Sequence, residues 1–384
     1  MVPNGWSNTC IDDNITFSGG AQPPREVFKF EPEEGYIRLI QIRDYKSDKF
    51  ITYVPKKLAK KFCTADDVMI GRYGPPIFQI LRGIEGAYNV ALIKAIPKSG
   101  VDKEFMYYFL KRDPLLRVIE SFSQRTSGQT GIEMDVLKAY PMHLPPLPEQ
   151  RKIAQILSTW DRGIATTEKL IDANKQQKKA LMQQLLTGKK RLIDPETGKA
   201  FQGEWEEVKL GDVCTPQQWA TISSKALLDE GYPVYGANGH IGFYSEFNHE
   251  YETVAVTCRG STCGEVSLIP EKSYITGNAM CLDNISPAKH SYIFVYYALC
   301  KRGFTDVISG SAQPQIVGKA IKNVKFIIPA LKEQQKIASV LTSADKDIQL
   351  LEAKLLHFKQ EKKALMQQLL TGKRRVKVPE TEAA

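Results

Sequence analysis

Residues 178–189 read KKALMQQLLTGK, and residues 362–373 repeat them letter for letter 184 positions later. Extended backwards without a gap, residues 149–188 align with 333–372 at 22 identities in 40 positions. The chain of 384 residues is therefore two half-length copies of one unit. Both copies read as helices. The first opens with Pro148 and Glu149 at the positive end of the dipole and closes at Gly188 beside Lys189, Lys190 and Arg191. Its apolar residues recur at steps of four and three: Ile153, Leu157, Trp160, Ile164, Ile171, Leu181 and Leu185. The second copy gives Ile337, Leu341, Ile348, Leu351, Leu355, Phe358, Leu365 and Leu369. A sustained 3.5-residue period is the signature of coiled-coil packing. Lys178, Lys362 and Asn174 are polar positions on the seam that set register, and Trp160 facing Ala344 is expected to interlock as a large/small pair.

Connectivity gives the orientation. The first helix delivers the chain from one globular part to the other, and the second buries its seam only by running back. The expected fold is α+β: two mixed α/β globular domains separated by two long helices forming an antiparallel coiled coil, a pseudo-two-fold internal repeat. The expected boundaries are a first head at 1–147, a helix at 148–188, a linker at 189–203, a second head at 204–331, a helix at 332–372 and a charged tail at 373–384.

The heads lack the helical period. Residues 35–45 (GYIRLIQIRDY), 251–258 (YETVAVTC) and 323–329 (NVKFIIP) read as strands. The heads share an order of features: a strand ending in an arginine turn (68–74 against 254–260), a small turn with asparagine (Tyr88-Asn89 against Gly277-Asn278), a short aromatic helix (105–108 against 294–297) and a glutamine loop (127–132 against 311–316). Arg72, Asn89, Gln129, Arg259, Asn278, Gln313 and Gln315 are types that read base edges, and they are equally types that build turns. The short-helix tyrosines read as core.

Lys+Arg 52 against Asp+Glu 43 gives +9, which favours polyanionic partners such as nucleic acid. No apolar run approaches the ~20 residues of a membrane span, and MVPNGWSNTCIDDN does not read as a signal peptide. Seven cysteines without a C-x-x-C pair fit a reducing compartment, and the expected location is the cytoplasm. The sequence contains neither a G-x-G-x-x-G turn nor a G-x-x-x-x-G-K-[ST] loop, and it lacks the Asn/Asp-Pro-Pro-aromatic segment of an amino-methyltransferase. Cys258, Cys263 and Cys281 with His240 nearby fit a structural zinc site only loosely, so buried apolar cysteines are expected, with no metal, cofactor or catalytic centre in this chain. A lone nuclease or methyltransferase and a protein-binding adaptor are the competing readings.

The repeated helix starts PLPEQRKIAQIL (146–157) and PALKEQQKIASVL (329–341), the doubled KKALMQQLLTGK, and GYPVYGANGHIGFY (231–244) with GSAQPQI (310–316) carry a resemblance. The chain resembles the specificity subunit of type I restriction-modification systems over essentially its whole length. The resemblance implies that each head reads one half of a bipartite, asymmetric sequence in double-stranded DNA, with the helices as a ruler. It implies two modification (methyltransferase) subunits, which bind S-adenosylmethionine and methylate adenine, and restriction subunits that use ATP and Mg. The Pro-Glu-Gln helix starts and the outward helix faces are then the expected docking surface. The candidate DNA-binding residues are Arg72, Tyr73, Asn89, Arg125, Gln129, Asn238, His240, Arg259, Ser261, Asn278, Gln313, Gln315 and Lys319.

Overall fold

The computed structural model describes residues 2–123, 125–126, 129–310 and 313–378. Its contacts divide the chain into two units, Met1–Thr166 with Leu355–Ala384, and Thr167–Lys354. The division falls inside the long helices rather than at the junctions between head and helix. Each head buries apolar residues of its own half-helices in one core, so each compact unit is a head with its helical base.

In the first unit the run Val68-Met69-Ile70 is wholly buried, and alternation sends its side chains to two cores. Val68 and Ile70 face a cluster containing Phe105, Phe109, Ile153, Leu157 and Leu369, while Met69 faces Ile40, Tyr88 and Leu92. This strand, Val68–Gly71, lies in an antiparallel sheet ordered Ile15–Gly19, Leu92–Pro97, Val68–Gly71, Gln79–Leu81. A second sheet is ordered Tyr53–Pro55, Tyr36–Ile40, Gly86–Tyr88, Phe62–Cys63, with its middle pair parallel. The expected strand at 35–45 stops at Ile40, and Ile42–Tyr45 turns as a 3₁₀ helix closed by Asp44 accepting the Gln41 N–H. The aromatic helix Lys103–Leu110 starts where Asp102 accepts the Phe105 N–H at 2.9 Å and buries Tyr107 and Tyr108, as core residues do.

The second unit repeats this wiring. Its antiparallel sheet is ordered Thr215–Gln218, Ala279–Asp283, Thr253–Thr257, Val266–Ile269. A smaller sheet is ordered Gly239–Tyr244, Tyr232–Gly236, Tyr274–Ile275, again with one parallel pair. The strand Glu206–Lys209 pairs with Lys325–Ile328 just before the second long helix, as Ser7–Cys10 pairs with Pro141–Leu144 before the first.

The long helices are Leu147–Leu185 and Leu331–Leu369, 39 residues each. They pair antiparallel. In the first unit Asp161 meets Lys362 and Trp160 packs edge-on against Phe358 at 5.5 Å. In the second, Lys178 meets Asp345 and Lys175 meets Glu352. Among the seam residues Ile153, Leu157, Ile171, Leu185, Ile337, Leu341, Ile348 and Leu369 are buried, and the rest are half-buried. The interlock expected for Trp160 takes a different form: its partner is Phe358, which sits over the space left by Gly163. Both helices end three residues before the expected glycine, and Gly188 and Gly372 follow at φ +69° and +68°. A side chain on Gly372 would meet the Pro3 ring, so the turn admits only glycine.

Candidate nucleic-acid interface

In the second head the interface is built on the end of the Thr253–Thr257 strand. Cys258 is buried, and both its N–H and its thiol bond the Asn278 carbonyl, at 3.0 and 3.2 Å. Gln218 donates to the Cys258 sulfur at 3.0 Å and to the Gly277 carbonyl at 2.7 Å. With Cys258 anchored, Arg259 points outward and pairs in β fashion with Gln315. Gln315 and Ser309 exchange two backbone bonds of 2.9 Å, which closes the glutamine loop into a hairpin. Gly310 stands in this turn at φ +83°, where a Cβ would lie 2.7 Å from the Gln313 carbonyl. Gln313, Gln315, Arg259 and Ser261 are exposed around this backbone pairing.

A second hairpin, Tyr232–Gly236 with Gly239–Tyr244, is tied to this tip by Thr262, whose hydroxyl donates to the Ala237 carbonyl at 2.8 Å. Asn238 is exposed at its apex, and the exposed His240 ring lies edge-on to Tyr235 and Phe243. Lys319 is exposed three residues beyond the buried anchor Ile316, in the short helix Gly318–Lys322. Asn278 is half-buried beneath the tip, with its carbonyl committed to Cys258.

In the first head the register separates the two turn arginines. Gly71 pairs with Leu92, and Thr257 pairs with Ala279. Arg72 N–H bonds the Ala91 carbonyl where Cys258 N–H bonds Asn278, and Tyr73 pairs with Gly131 where Arg259 pairs with Gln315. Tyr73 thus occupies the Arg259 position, and Arg72 corresponds to the buried Cys258. This is the register of the gapless match of 68–74 with 254–260, so the two turn arginines stand at neighbouring rather than equivalent positions, and neighbours along a strand face opposite ways. Arg72 is half-buried with its guanidinium 5.2 Å from the Tyr73 ring.

Asn89 is corrected. It corresponds to Thr276 rather than Asn278, since Leu92 N–H bonds the Asn89 carbonyl as Ala279 N–H bonds that of Thr276. It is buried, and its Oδ1 accepts the Ala91 N–H at 3.1 Å, which is how an asparagine side chain closes a turn. Arg125 and Gln129 stand in the paired strands Arg125–Thr126 and Gln129–Thr130, and their side chains lie outside the described residues. Sequence reasoning passed over Lys56, Lys57, Lys60 and Lys61, which are all exposed beside the second sheet of this head. Their signal was plain: four lysines within six residues.

At the base of each unit the same constellation appears. Glu149 is buried; its two oxygens take Arg375 at 2.7 and 2.8 Å and the Trp6 indole N–H at 3.1 Å. Glu333 is buried and takes Arg191 at 2.6 and 2.7 Å. Gln150 accepts the Asp102 N–H at 2.8 Å, and Gln334 accepts the Ser291 N–H at 3.0 Å. The Glu-Gln helix starts are therefore internal clasps between head and helix, not the docking surface expected for them. Asp161 accepts from Tyr108 at 2.8 Å and from Lys362, and Asp345 accepts from Tyr297 at 2.6 Å and from Lys178. Burial and the neighbouring carboxylate push both phenols well above their usual range. The seam lysines are each paired with one of these aspartates, which stand at equivalent positions of the two copies.

The cysteines do not gather into the zinc pattern weighed above. Among the described residues the one His/Cys/carboxylate group is His249, Cys281 and Asp283. The His249 nitrogens already face Asn248 Oδ1 at 2.7 Å and Asp283 Oδ1 at 3.0 Å, and burial pushes the Cys281 thiol far up. Among the described residues no helix is long and apolar enough to cross a membrane.

Residues 3–176 and 202–358 each match the family model described as the type I restriction modification DNA specificity domain. The MjaVIII type I restriction enzyme specificity subunit of Methanocaldococcus jannaschii is 27% identical over 418 residues, 98% of this chain and 94% of that protein. The crystal structure of a type I restriction-modification S subunit from M. genitalium superposes with a TM-score of 0.67 at 18% identity, over 96% of this chain and 97% of that one. A chain from a structure concerned with complex assembly and conformational transition of the type I R-M system gives 0.57 at 16% identity, over 97% and 100%. These two structural likenesses concern the fold.

Proposed function

Because the chain belongs to the type I restriction-modification DNA specificity family, we propose that each head reads one half of a bipartite, asymmetric DNA sequence and that the paired helices set the distance between the halves. The chain is a type I specificity subunit, a recognition protein that acts with DNA and the other subunits of its system and is not itself an enzyme. The observation that carries the finer reading is one scaffold built twice with different tips. The four-stranded antiparallel sheet has the same strand order in both heads, while the slot that presents Arg259 in one presents Tyr73 in the other. A repeated frame that presents a different side chain at the same slot suits two recognition sites of different sequence.

In this reading Arg259, Gln313 and Gln315 contact base edges in the major groove, where Arg reads guanine and Gln reads adenine. Asn238, His240, Ser261 and Lys319 flank them. In the first head Tyr73 and the hairpin carrying Arg125 and Gln129 take that place, and Lys56, Lys57, Lys60 and Lys61 contact phosphates. Two adenine methyltransferase subunits, which carry S-adenosylmethionine, dock on the helices, and restriction subunits supply ATP- and Mg-dependent chemistry. With Glu149, Gln150, Glu333 and Gln334 buried, docking falls to the exposed helix surface, where Leu170 and Leu350 in the second unit and Leu356 in the first are open to solvent.

Mapping adenine methylation genome-wide in the native host, with and without this gene, tests the reading. Loss of one bipartite motif on deletion is the expected result. A methylome that does not change in a host expressing the partner subunits overturns it.

A further inference from the structure

The first unit holds a cleft of about 550 Å³ between the helix Asp113–Phe122 and the two long helices, lined by seven cationic side chains and two aspartates. Both aspartates are already neutralised. Asp161 is held by Lys362 and Tyr108, and Asp113 by Lys363 at 2.8 Å. Among the described residues no carboxylate pairs with Arg112, Arg117, Lys111 or Lys373. Lys111 instead donates to the Tyr107 hydroxyl at 2.9 Å. Arg112 is half-buried with its guanidinium 4.9 Å from the Phe109 ring, and burial pulls its pKa below the ordinary arginine value. A half-buried guanidinium without an anion leaves part of its desolvation cost uncompensated.

We infer that this cleft binds a free, multiply charged phosphate group, such as that of an inorganic polyphosphate or a nucleoside triphosphate. A planar guanidinium takes two phosphate oxygens at once, and lysines around it neutralise the remaining charge. A single carboxylate would leave most of the cationic excess unmatched. The N-terminus of the ten-residue helix Asp113–Phe122 opens on the same space and adds its positive end.

The internal repeat supplies a control. The second unit carries the same helix residues, with Lys178, Lys179, Met182 and Lys189 in place of Lys362, Lys363, Met366 and Lys373. Its head ends the aromatic helix at Arg302, whose guanidinium is committed to Asp306 through two bonds of 2.7 Å, and the chain then turns at Gly303. The arginines that make the cleft have no counterpart there, so one site per chain is expected.

Calorimetric titration of the full-length protein with tripolyphosphate and with ATP at ~0.1 M salt is the test. Saturable binding of one equivalent is expected. Arg117→Glu with Lys373→Glu, both exposed positions that leave the fold intact, should weaken it at least tenfold, and Lys179→Glu with Lys189→Glu should leave it unchanged. Absence of saturable binding, or equal losses in the two variants, overturns the inference. A short duplex of unrelated sequence is added as competitor. Failure to displace tripolyphosphate supports a free anion, whereas stoichiometric displacement reassigns the cleft to the DNA backbone and overturns the free-ligand assignment.

Discussion

The two clasps at the helix starts look alike but should not cost the same to break. Glu333 is 1% exposed, and among the described residues Arg191 is its only charged partner, with a further bond from Arg191 to the Gly203 carbonyl at 3.0 Å. Arg191→Ala therefore strands a buried carboxylate, at a cost of about 3–5 kcal/mol. Glu149 keeps a second donor, the Trp6 indole, and its Arg375 partner is 44% exposed on the side chain. Screening by solvent and the surviving indole bond reduce the cost of Arg375→Ala to about 1–3 kcal/mol. The corresponding indole in the second unit, Trp205, donates to nothing among the described residues. Amide hydrogen exchange resolved by peptide reads the two units separately. At ~1.4 kcal/mol per decade, local opening of the second unit should rise by about two to three and a half decades in Arg191→Ala. The matched-volume pair Arg191→Met with Glu333→Leu should recover most of that loss, because no charge is then left buried. Equal effects in the two single variants, or a double variant as unstable as Arg191→Ala, would refute the reasoning.

Replacing Arg259 or Gln313 by Ala should relax one half-site only, at about 1–3 kcal/mol for a bidentate contact, read by binding of the assembled complex to a library of sites; a uniform loss on all sequences would assign the residue to phosphate contact or structure. Adding one heptad to each long helix, between Asp161 and Lys178 and between Asp345 and Lys362, preserves both aspartate–lysine pairs and adds ~10.5 Å of helix per copy. The methylated motif should then keep both half-sites and lengthen its spacer by up to about three base pairs, and an unchanged spacer rejects the ruler. Asn89→Ala should lower the stability of the first unit by about 1 kcal/mol through the lost turn bond while leaving sequence preference untouched. A changed half-site in that variant would restore Asn89 as a reader.

How much could be read in advance follows the range of the interactions. The repeat, the 3.5-residue seam and the antiparallel pairing were legible because they rest on local periodicity and on connectivity, and the identical Lys178 and Lys362 marked the polar seam positions. The heads were legible only in outline. Short strands such as Val68–Gly71 and Thr253–Thr257 match without a gap, which puts Tyr73 on Arg259, but only the ladder shows that Tyr73 rather than Arg72 pairs with the following loop. The role of Asn89 turned on burial, which its turn-like neighbours left open. Glu149 and Glu333 read as dipole partners at exposed helix ends, because their arginines, Arg375 and Arg191, arrive from far along the chain.

The sequence by itself determined the duplication, the α+β class, the two long helices and their direction, since helical period and chain order are properties of neighbours. Only the tertiary structure decided which side chains emerge at the tips, that the Glu-Gln starts turn inward, and that Arg112 and Arg117 converge on the second long helix. Those outcomes depend on sheet register and on desolvation at contacts between distant segments, which no local pattern encodes.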